Sequence, residues 1–145
     1  MKYTSEIIID LPIEKVVSVF DNQDYMFEWM EGLKKITPLT KTQGKIGSRM
    51  EMYFEIGKRK MHITETILDK RLPTSMTCKY NSFGMESTVS IHFESIGTIK
   101  TKYSTISNYK FKGLFKLMSI FSSKVFKNQS YKYLADFKEF AENNA

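Results

Sequence analysis

The chain has 145 residues, the length of a single domain that buries roughly two thirds of the surface of its unfolded chain. Its 41% hydrophobic and 26% charged residues are ordinary for a globular protein, whereas 14% aromatic residues and nine methionines are high values. We find no signal-peptide pattern and no apolar run near the roughly 20 residues that span a bilayer. These features predict one soluble, cytoplasmic domain over residues 1–145.

The net charge of +6 suggests an anionic partner or simple surface solvation. Most lysines and arginines lie beside predicted turns, and no RNA-binding aromatic signature accompanies them, so we expect no nucleic-acid partner. Cys78 is the only cysteine, which excludes an intramolecular disulfide and favours a small core residue over a nucleophile. Neither metal-ligand spacing nor a glycine-rich phosphate loop is present, so we expect no metal and no other cofactor.

The first 30 residues predict a strand followed by two short helices. Lys2–Asp10 is rich in β-branched residues, and Pro12 then suits the first turn of a helix that closes at Asp21 and Asn22. A second helix of one or two turns is expected at about Asp24–Met30. The first helix has one apolar stripe at the spacing i, i+3, i+4 and i+7, formed by Ile13, Val16, Val17 and Phe20.

From Leu33 to Phe111 the apolar residues alternate with polar ones, which predicts six antiparallel strands. A tight turn at Gly57–Lys58 would pair residues that share a face of the sheet. Glu65 then lies on the apolar face. The expected cross-strand pairs are Phe54 with Met61, Met52 with Ile63, and Met50 with Glu65.

A three-residue turn at Ser95–Gly97 is predicted for the last hairpin, with glycine in the left-handed position. A two-residue turn would bring Lys100 and Lys102 to the apolar face, which is costly for unpaired lysines. His62 and His92 are expected on the outer face. The chosen turn places Ile99, Thr101, Tyr103, Thr105, Ser107 and Tyr109 on the inner face, the first five of them opposite Phe93, Ile91, Val89, Ser87 and Met85 in turn.

The segment from Gly113 to about Asn143 predicts one long terminal helix with two apolar stripes, whose centres lie roughly 130° apart at about 100° per residue. We therefore expect a bend or a change of packing partner between Lys124 and Ser130. Either the sheet wraps far enough to cover both stripes, or the first half is a movable wall with Phe115 and Ile120 near a portal and Lys116, Lys124 and Lys127 facing anionic headgroups. The stripes are Leu114, Leu117, Met118, Phe121 and Val125, then Tyr133, Leu134, Phe137, Phe140 and Ala141.

The whole pattern is α+β, and it resembles the START-like superfamily, which includes birch-pollen-allergen-like proteins and the polyketide cyclase/dehydrase and lipid-transport (SRPBCC) family. The resemblance rests on DLPIEKVVSVFDN (residues 10–22), a tryptophan soon after it, TQGKIGSRM (42–50), TETILDKRLP (64–73), a glycine hairpin before the last strand, and a terminal amphipathic helix. It implies a helix-grip fold: seven antiparallel strands curled around a long C-terminal helix, with the two short helices closing one end of a cavity.

That cavity would take an apolar or amphipathic small molecule, such as a lipid or a polyketide-like compound. We interpret the protein as a binding or carrier protein, as a monomer or homodimer, in transient contact with anionic membranes. The alternatives are a cyclase or dehydratase with Glu65 and Tyr103 as its acid–base groups, or a ligand-free interaction module. The inner polar groups could also simply satisfy one another. The predicted ligand contacts are Trp29, Met50, Met52, Phe54, Met61, Ile63, Glu65, Cys78, Ser87, Val89, Thr101, Tyr103, Thr105, Leu117, Met118 and Phe121.

Overall fold

The computed structural model describes residues 2–113 and 123–145, and the predicted order of elements is confirmed in these residues. No helix among them is both long and apolar enough to cross a lipid bilayer. The elements are β1 (Lys2–Ile9), α1 (Ile13–Phe20), α2 (Gln23–Trp29), β2 (Leu33–Pro38), β3 (Arg49–Ile56), β4 (Arg59–Arg71), β5 (Ser75–Ser82), β6 (Met85–Ile96), β7 (Lys100–Phe111) and α3 (Ser123–Asn144).

All seven strands form one antiparallel sheet in the order β1-β7-β6-β5-β4-β3-β2. Helix α3 packs against β1 and β7 and against both short helices, while α2 also contacts β2 at the opposite edge of the sheet. The helices therefore connect the two edge strands, as a sheet curled around a helix requires. The predicted helix-grip fold is confirmed.

The two short helices follow each other directly because each begins at a favourable residue. Pro12 directly precedes α1, and its carbonyl accepts hydrogen bonds from the backbone N–H groups of Lys15 and Val16, each at 3.1 Å. The sequence predicts Pro12 within the first turn of this helix, whereas in the structure Pro12 lies one residue before the helix begins. Asn22 caps α2, since its side-chain oxygen accepts from the Asp24 N–H at 3.0 Å.

The β3–β4 hairpin has the predicted register, including the pairing of Met50 with Glu65. The predicted β6–β7 register is wrong by four residues, because the three-residue turn is Gly97–Ile99 and the strands continue two pairs further. Phe93 therefore lies opposite Tyr103. A shift by an even number keeps each strand residue on its predicted face. Ile99 itself lies in the turn and is 65% exposed, so its predicted inner position is wrong.

The second apolar stripe of the terminal helix lies in the core, where Leu134, Phe137 and Ala141 are buried. Helix α3 is continuous between Lys124 and Ser130. Its neighbours change along its length: Phe126 lies beside the rings of Tyr109 and Phe111, whereas Phe137 lies beside those of α1 and α2. Val125, from the first stripe, is 65% exposed. The rest of that stripe, with Phe115, Lys116 and Ile120, falls outside the described residues.

Candidate functional site

The inner face of the sheet is divided into two regions of different composition. One, here called the aromatic half, contains the interlocked rings of Phe20, Trp29, Phe93, Tyr103 and Phe137. The other, here called the methionine half, is built from β2–β5 and α2 around a buried cluster of Leu33, Met50, Met52 and Phe54. Partly buried residues complete it, namely Met26, Met30, Ile36, Met61, Ile63 and Tyr80.

A glycine holds the end of α2 against this region. Gly32 has a φ of 81°, and its carbonyl accepts the Glu55 backbone N–H at 2.8 Å. A Cβ at this position would lie 2.7 Å from the Glu55 carbonyl oxygen, so only glycine fits the close approach. Met26 of α2 and Met30, which follows its last residue, pack onto Met50 and its neighbours on the sheet.

Glu65 is the charged residue buried within the methionine half, with only 8% of its surface exposed. It pairs with Met50 on one side and with Tyr80 on the other. The Tyr80 hydroxyl donates a hydrogen bond to the Glu65 carboxylate. Burial raises the pKa of the Glu65 carboxyl, and the Tyr80 hydrogen bond and the positive charge of Lys70 offset only part of that rise. Glu65 therefore holds its proton more tightly than an exposed glutamate does.

Lys70 does not neutralise Glu65 by direct contact. Its ammonium lies 3.0 Å from the Asp21 carboxylate and donates to the Gly44 carbonyl at 2.7 Å. Its positive charge reaches Glu65 only through space, as a minor influence on the carboxyl pKa. The polar contact of Glu65 is thus a neutral tyrosine rather than a cation.

Cys78 lies next to the methionine half, in a smaller buried cluster with Ile67 and Met76 against which Tyr80 packs. Burial raises the pKa of its thiol to about 12, with the nearby Glu65 adding to the rise, so the thiol stays protonated at neutral pH. Tyr80 contacts the thiol as well as Glu65, and the Tyr80 pKa lies well above its usual value, chiefly through burial. The three side chains form one hydrogen-bonded group on neighbouring strands.

The structure does not bring Glu65 and Tyr103 together. Tyr103 stacks on Phe93 at 5.0 Å between ring centroids and meets Phe137 edge-on at 5.5 Å, inside the aromatic half. Across the sheet Glu65 aligns with Tyr80, Ser87 and Tyr109, and Tyr103 lies six residues, about 20 Å, along β7 from that row.

The four-residue shift of the last hairpin accounts for this difference. The predicted register would place Thr105 beside Ser87, and therefore Tyr103 close to the row of Glu65. In the structure Ser87 lies opposite Tyr109 instead. Tyr80 is the hydroxyl partner of Glu65, and it was missing from the predicted site although its alternation with Met76 and Cys78 indicates the inner face. Met26 and Met30 were missed as well.

The other predicted ligand contacts are divided between the two regions. The Thr101 hydroxyl donates to the Leu11 carbonyl at 2.8 Å, a structural role. Trp29 is buried in the aromatic half, and its indole N–H has no acceptor among the described residues. Ser87 and Thr105 are buried on the inner face, and Val89 packs against the aromatic half. Leu117, Met118 and Phe121 fall outside the described residues.

Both histidines lie on the outer face, as predicted. His62 Nδ1 lies 3.0 Å from the Glu51 carboxylate, and His92 is exposed. Within residues 2–113 and 123–145, no three His, Cys, Asp or Glu side chains are close enough to hold a metal ion. A groove of about 420 Å³ lies between β1 and α3, and one of about 310 Å³ lies on the outer face; neither is lined by a predicted ligand contact.

Solved structures share this fold at low sequence identity, whereas no sequence-family profile and no curated protein matches the chain. The Zhui aromatase/cyclase from a Streptomyces species has a TM-score of 0.82 at 9% identity, over 98% of this chain and 93% of its own. Norcoclaurine synthase from Thalictrum flavum, in complex with dopamine and hydroxybenzaldehyde, has a TM-score of 0.76 at 11% identity, over 100% and 88%. Ara h 8.0201 has a TM-score of 0.73 at 13% identity, over 99% of both chains.

Proposed function

We propose that this protein binds a small, largely apolar molecule that carries one hydrogen-bonding group, and that the molecule lies against the methionine half of the inner face. The observation that carries the proposal is Glu65, a buried carboxyl among methionines whose hydrogen-bond partner is the neutral hydroxyl of Tyr80. Burying a carboxyl costs free energy unless its hydrogen bonds are satisfied, and a ligand that hydrogen-bonds to Glu65 would lower this cost.

The same geometry limits the class of ligand. Methionine side chains adapt to varied shapes, so the apolar part of the ligand is loosely specified. A buried carboxyl with a raised pKa accepts a hydrogen bond from a hydroxyl or phenol when it is ionised and can also donate one when it is protonated, whereas an ionised fatty acid would meet repulsion from its ionised form. The norcoclaurine synthase of similar fold holds dopamine and hydroxybenzaldehyde, which supports a phenolic or similar aromatic compound here.

The test is displacement of an environment-sensitive fluorescent probe by paired compounds that differ only in a hydroxyl or carboxylate group. We expect micromolar affinity for the hydroxyl series, about 8 kcal/mol, and weaker binding of the carboxylates. Glu65→Gln and Tyr80→Phe should each change that preference about tenfold.

The outer face supplies a matched control for these variants. The Tyr53 hydroxyl donates to Glu55 at 2.7 Å, so the same pair of residues occurs in an exposed setting on β3. Glu55→Gln and Tyr53→Phe should leave probe displacement unchanged. Equal effects of the inner and outer variants would contradict the proposed site, and failure of every apolar probe to bind would favour the interaction module.

A second function is favoured by the raised pKa of Glu65. A buried carboxyl beside a tyrosine can transfer a proton to or from a bound molecule, and this makes a cyclase or dehydratase with Glu65 and Tyr80, rather than Tyr103, the enzymatic alternative. Glu65→Gln would then abolish turnover while the bound compound keeps most of its affinity. Loss of affinity without any measurable turnover in the unmodified protein supports binding alone.

A further inference from the structure

One end of the sheet collects four chain segments. The tips of the β3–β4 and β5–β6 hairpins, Gly57–Lys58 and Phe83–Gly84, both turn at this end. The Lys112 N–H donates to the Gly84 carbonyl at 3.0 Å, which brings the end of β7 to the same place. The first described turns of α3 join them, because the rings of Phe126 and Phe111 lie 5.3 Å apart.

This region, here called the basic end, carries exposed cations with few acidic partners. Among the described residues, only Lys112 of this set forms an ion pair, at 4.0 Å from Glu86. At the opposite end of the sheet several cations are paired, among them Lys100 with Asp10 and Lys102 with Glu94. The cations of the basic end are Lys58, Arg59, Lys60, Lys110, Lys112, Lys124 and Lys127.

Apolar side chains are exposed among these charges. Phe83, at the tip of the β5–β6 hairpin, is 91% exposed, and Val125 is 65% exposed. A bulky aromatic residue at the tip of a turn between cations suits the boundary between lipid headgroups and acyl chains. Cations alone would serve any anionic partner, and the exposed aromatic ring favours a lipid surface.

We infer that the basic end docks reversibly on anionic lipid bilayers, with Phe83 in the interface and the surrounding lysines on the headgroups. The inference rests on the proposed function, because β4 runs from the basic end directly into the methionine half, through Met61 and Ile63 to Glu65. Docking at this end would place the proposed site next to the bilayer in which a poorly soluble ligand resides.

The experiment measures binding of the full chain to vesicles of phosphatidylcholine alone and of phosphatidylcholine mixed with phosphatidylglycerol. Replacing Lys58, Arg59 and Lys60 together by glutamine should weaken binding to the anionic vesicles on the order of 100-fold. Phe83→Ser should weaken it about tenfold without changing the charge. All of these positions are exposed, and thermal melts should confirm that the variants fold.

A matched control removes three cations from elsewhere. Replacing Arg71, Lys100 and Lys102 by glutamine changes the net charge equally but alters ion-paired residues away from the basic end. Binding should then fall less than tenfold. Equal losses in the two triple variants, equal binding to both kinds of vesicle, or tighter binding to an RNA homopolymer that is insensitive to Phe83→Ser would overturn the inference. Probe displacement in vesicle-free buffer tests the proposed site separately.

Discussion

The two halves of the inner face lie on different strands of one sheet, and they have opposite properties. In the aromatic half Phe137 contacts the rings of Phe20, Trp29 and Tyr103, each at a centroid distance between 5.1 and 5.7 Å. Rings packed in this way lock one another in position, and each pair adds about 0.5–1.5 kcal/mol to the effect of burial. The methionine half instead has five unbranched methionine side chains near one polar pair, Glu65 and Tyr80. The comparison indicates that the aromatic half stabilises the fold, and we expect the methionine half to adapt its shape more readily.

The largest expected effect comes from removing the central ring of the aromatic half. Phe137→Ala should lower the free energy of unfolding by about 3–5 kcal/mol, because it leaves a cavity among side chains that cannot close around it. Denaturant unfolding measures this loss. The methionine half offers the contrast: Met52→Leu preserves volume at a buried position and should cost less than about 1.5 kcal/mol.

Ligand binding sharpens the same contrast. If the halves differ as inferred, Met52→Leu changes the preference among apolar probes, and Phe137→Ala affects probe binding only through the loss of folded protein. If Phe137→Ala lowered the free energy of unfolding no more than Met52→Leu does, the aromatic half would not be the more rigid one.

A smaller loss is expected at Thr101, which is fully buried beside Ile9. Thr101→Val keeps the shape of the side chain but removes the hydroxyl that donates a hydrogen bond to the Leu11 carbonyl at 2.8 Å. The free energy of unfolding should therefore fall by about 1–3 kcal/mol. Thr101→Ser retains the hydroxyl and should recover part of the loss. Unchanged probe binding in both variants would show that Thr101 stabilises the fold and does not contact the ligand. A changed probe affinity in Thr101→Val alone would support the predicted contact between Thr101 and the ligand.

Much of the fold could be predicted from the sequence because local patterns decide it. Alternation placed Glu65 on the inner face, and the short Gly57–Lys58 turn set its pairing with Met50. The β6–β7 turn was harder, since several three-residue turns around Gly97 keep the same faces inward and differ only in register. Periodicity alone cannot distinguish such registers.

The site was less predictable because it depends on contacts between distant strands. The partner of Glu65 depends on how β4 pairs with β5, and an irregularity between Ile67 and Asp69 shifts that register. Nothing in the local pattern shows this bulge. The sequence therefore does not distinguish Tyr80 from the other inward-facing residues of β5. The predicted β6–β7 register also places Tyr103 closer to Glu65 than the structure does.

The smallest expected effect concerns Glu65 and depends on pH. Burial raises its pKa in the folded protein above the unfolded value of about 4.5, so the folded state retains a proton that the unfolded state releases. Stability is therefore undiminished below pH 4.5 and declines as the pH rises through the folded-state pKa. Each tenfold change in the acid dissociation constant is worth about 1.4 kcal/mol.

Glu65→Gln cannot ionise, and it should match the unmodified protein near pH 4 and be more stable at pH 7.5. Glu55→Gln, at the exposed counterpart on β3, is the matched control for the same substitution outside the buried face. Thermal melts of the three proteins across this range measure the difference. A constant offset between Glu65→Gln and the unmodified protein at all pH values would mean that Glu65 ionises like an exposed glutamate, and the methionine half would then lack the proton-holding group on which its proposed ligand preference depends.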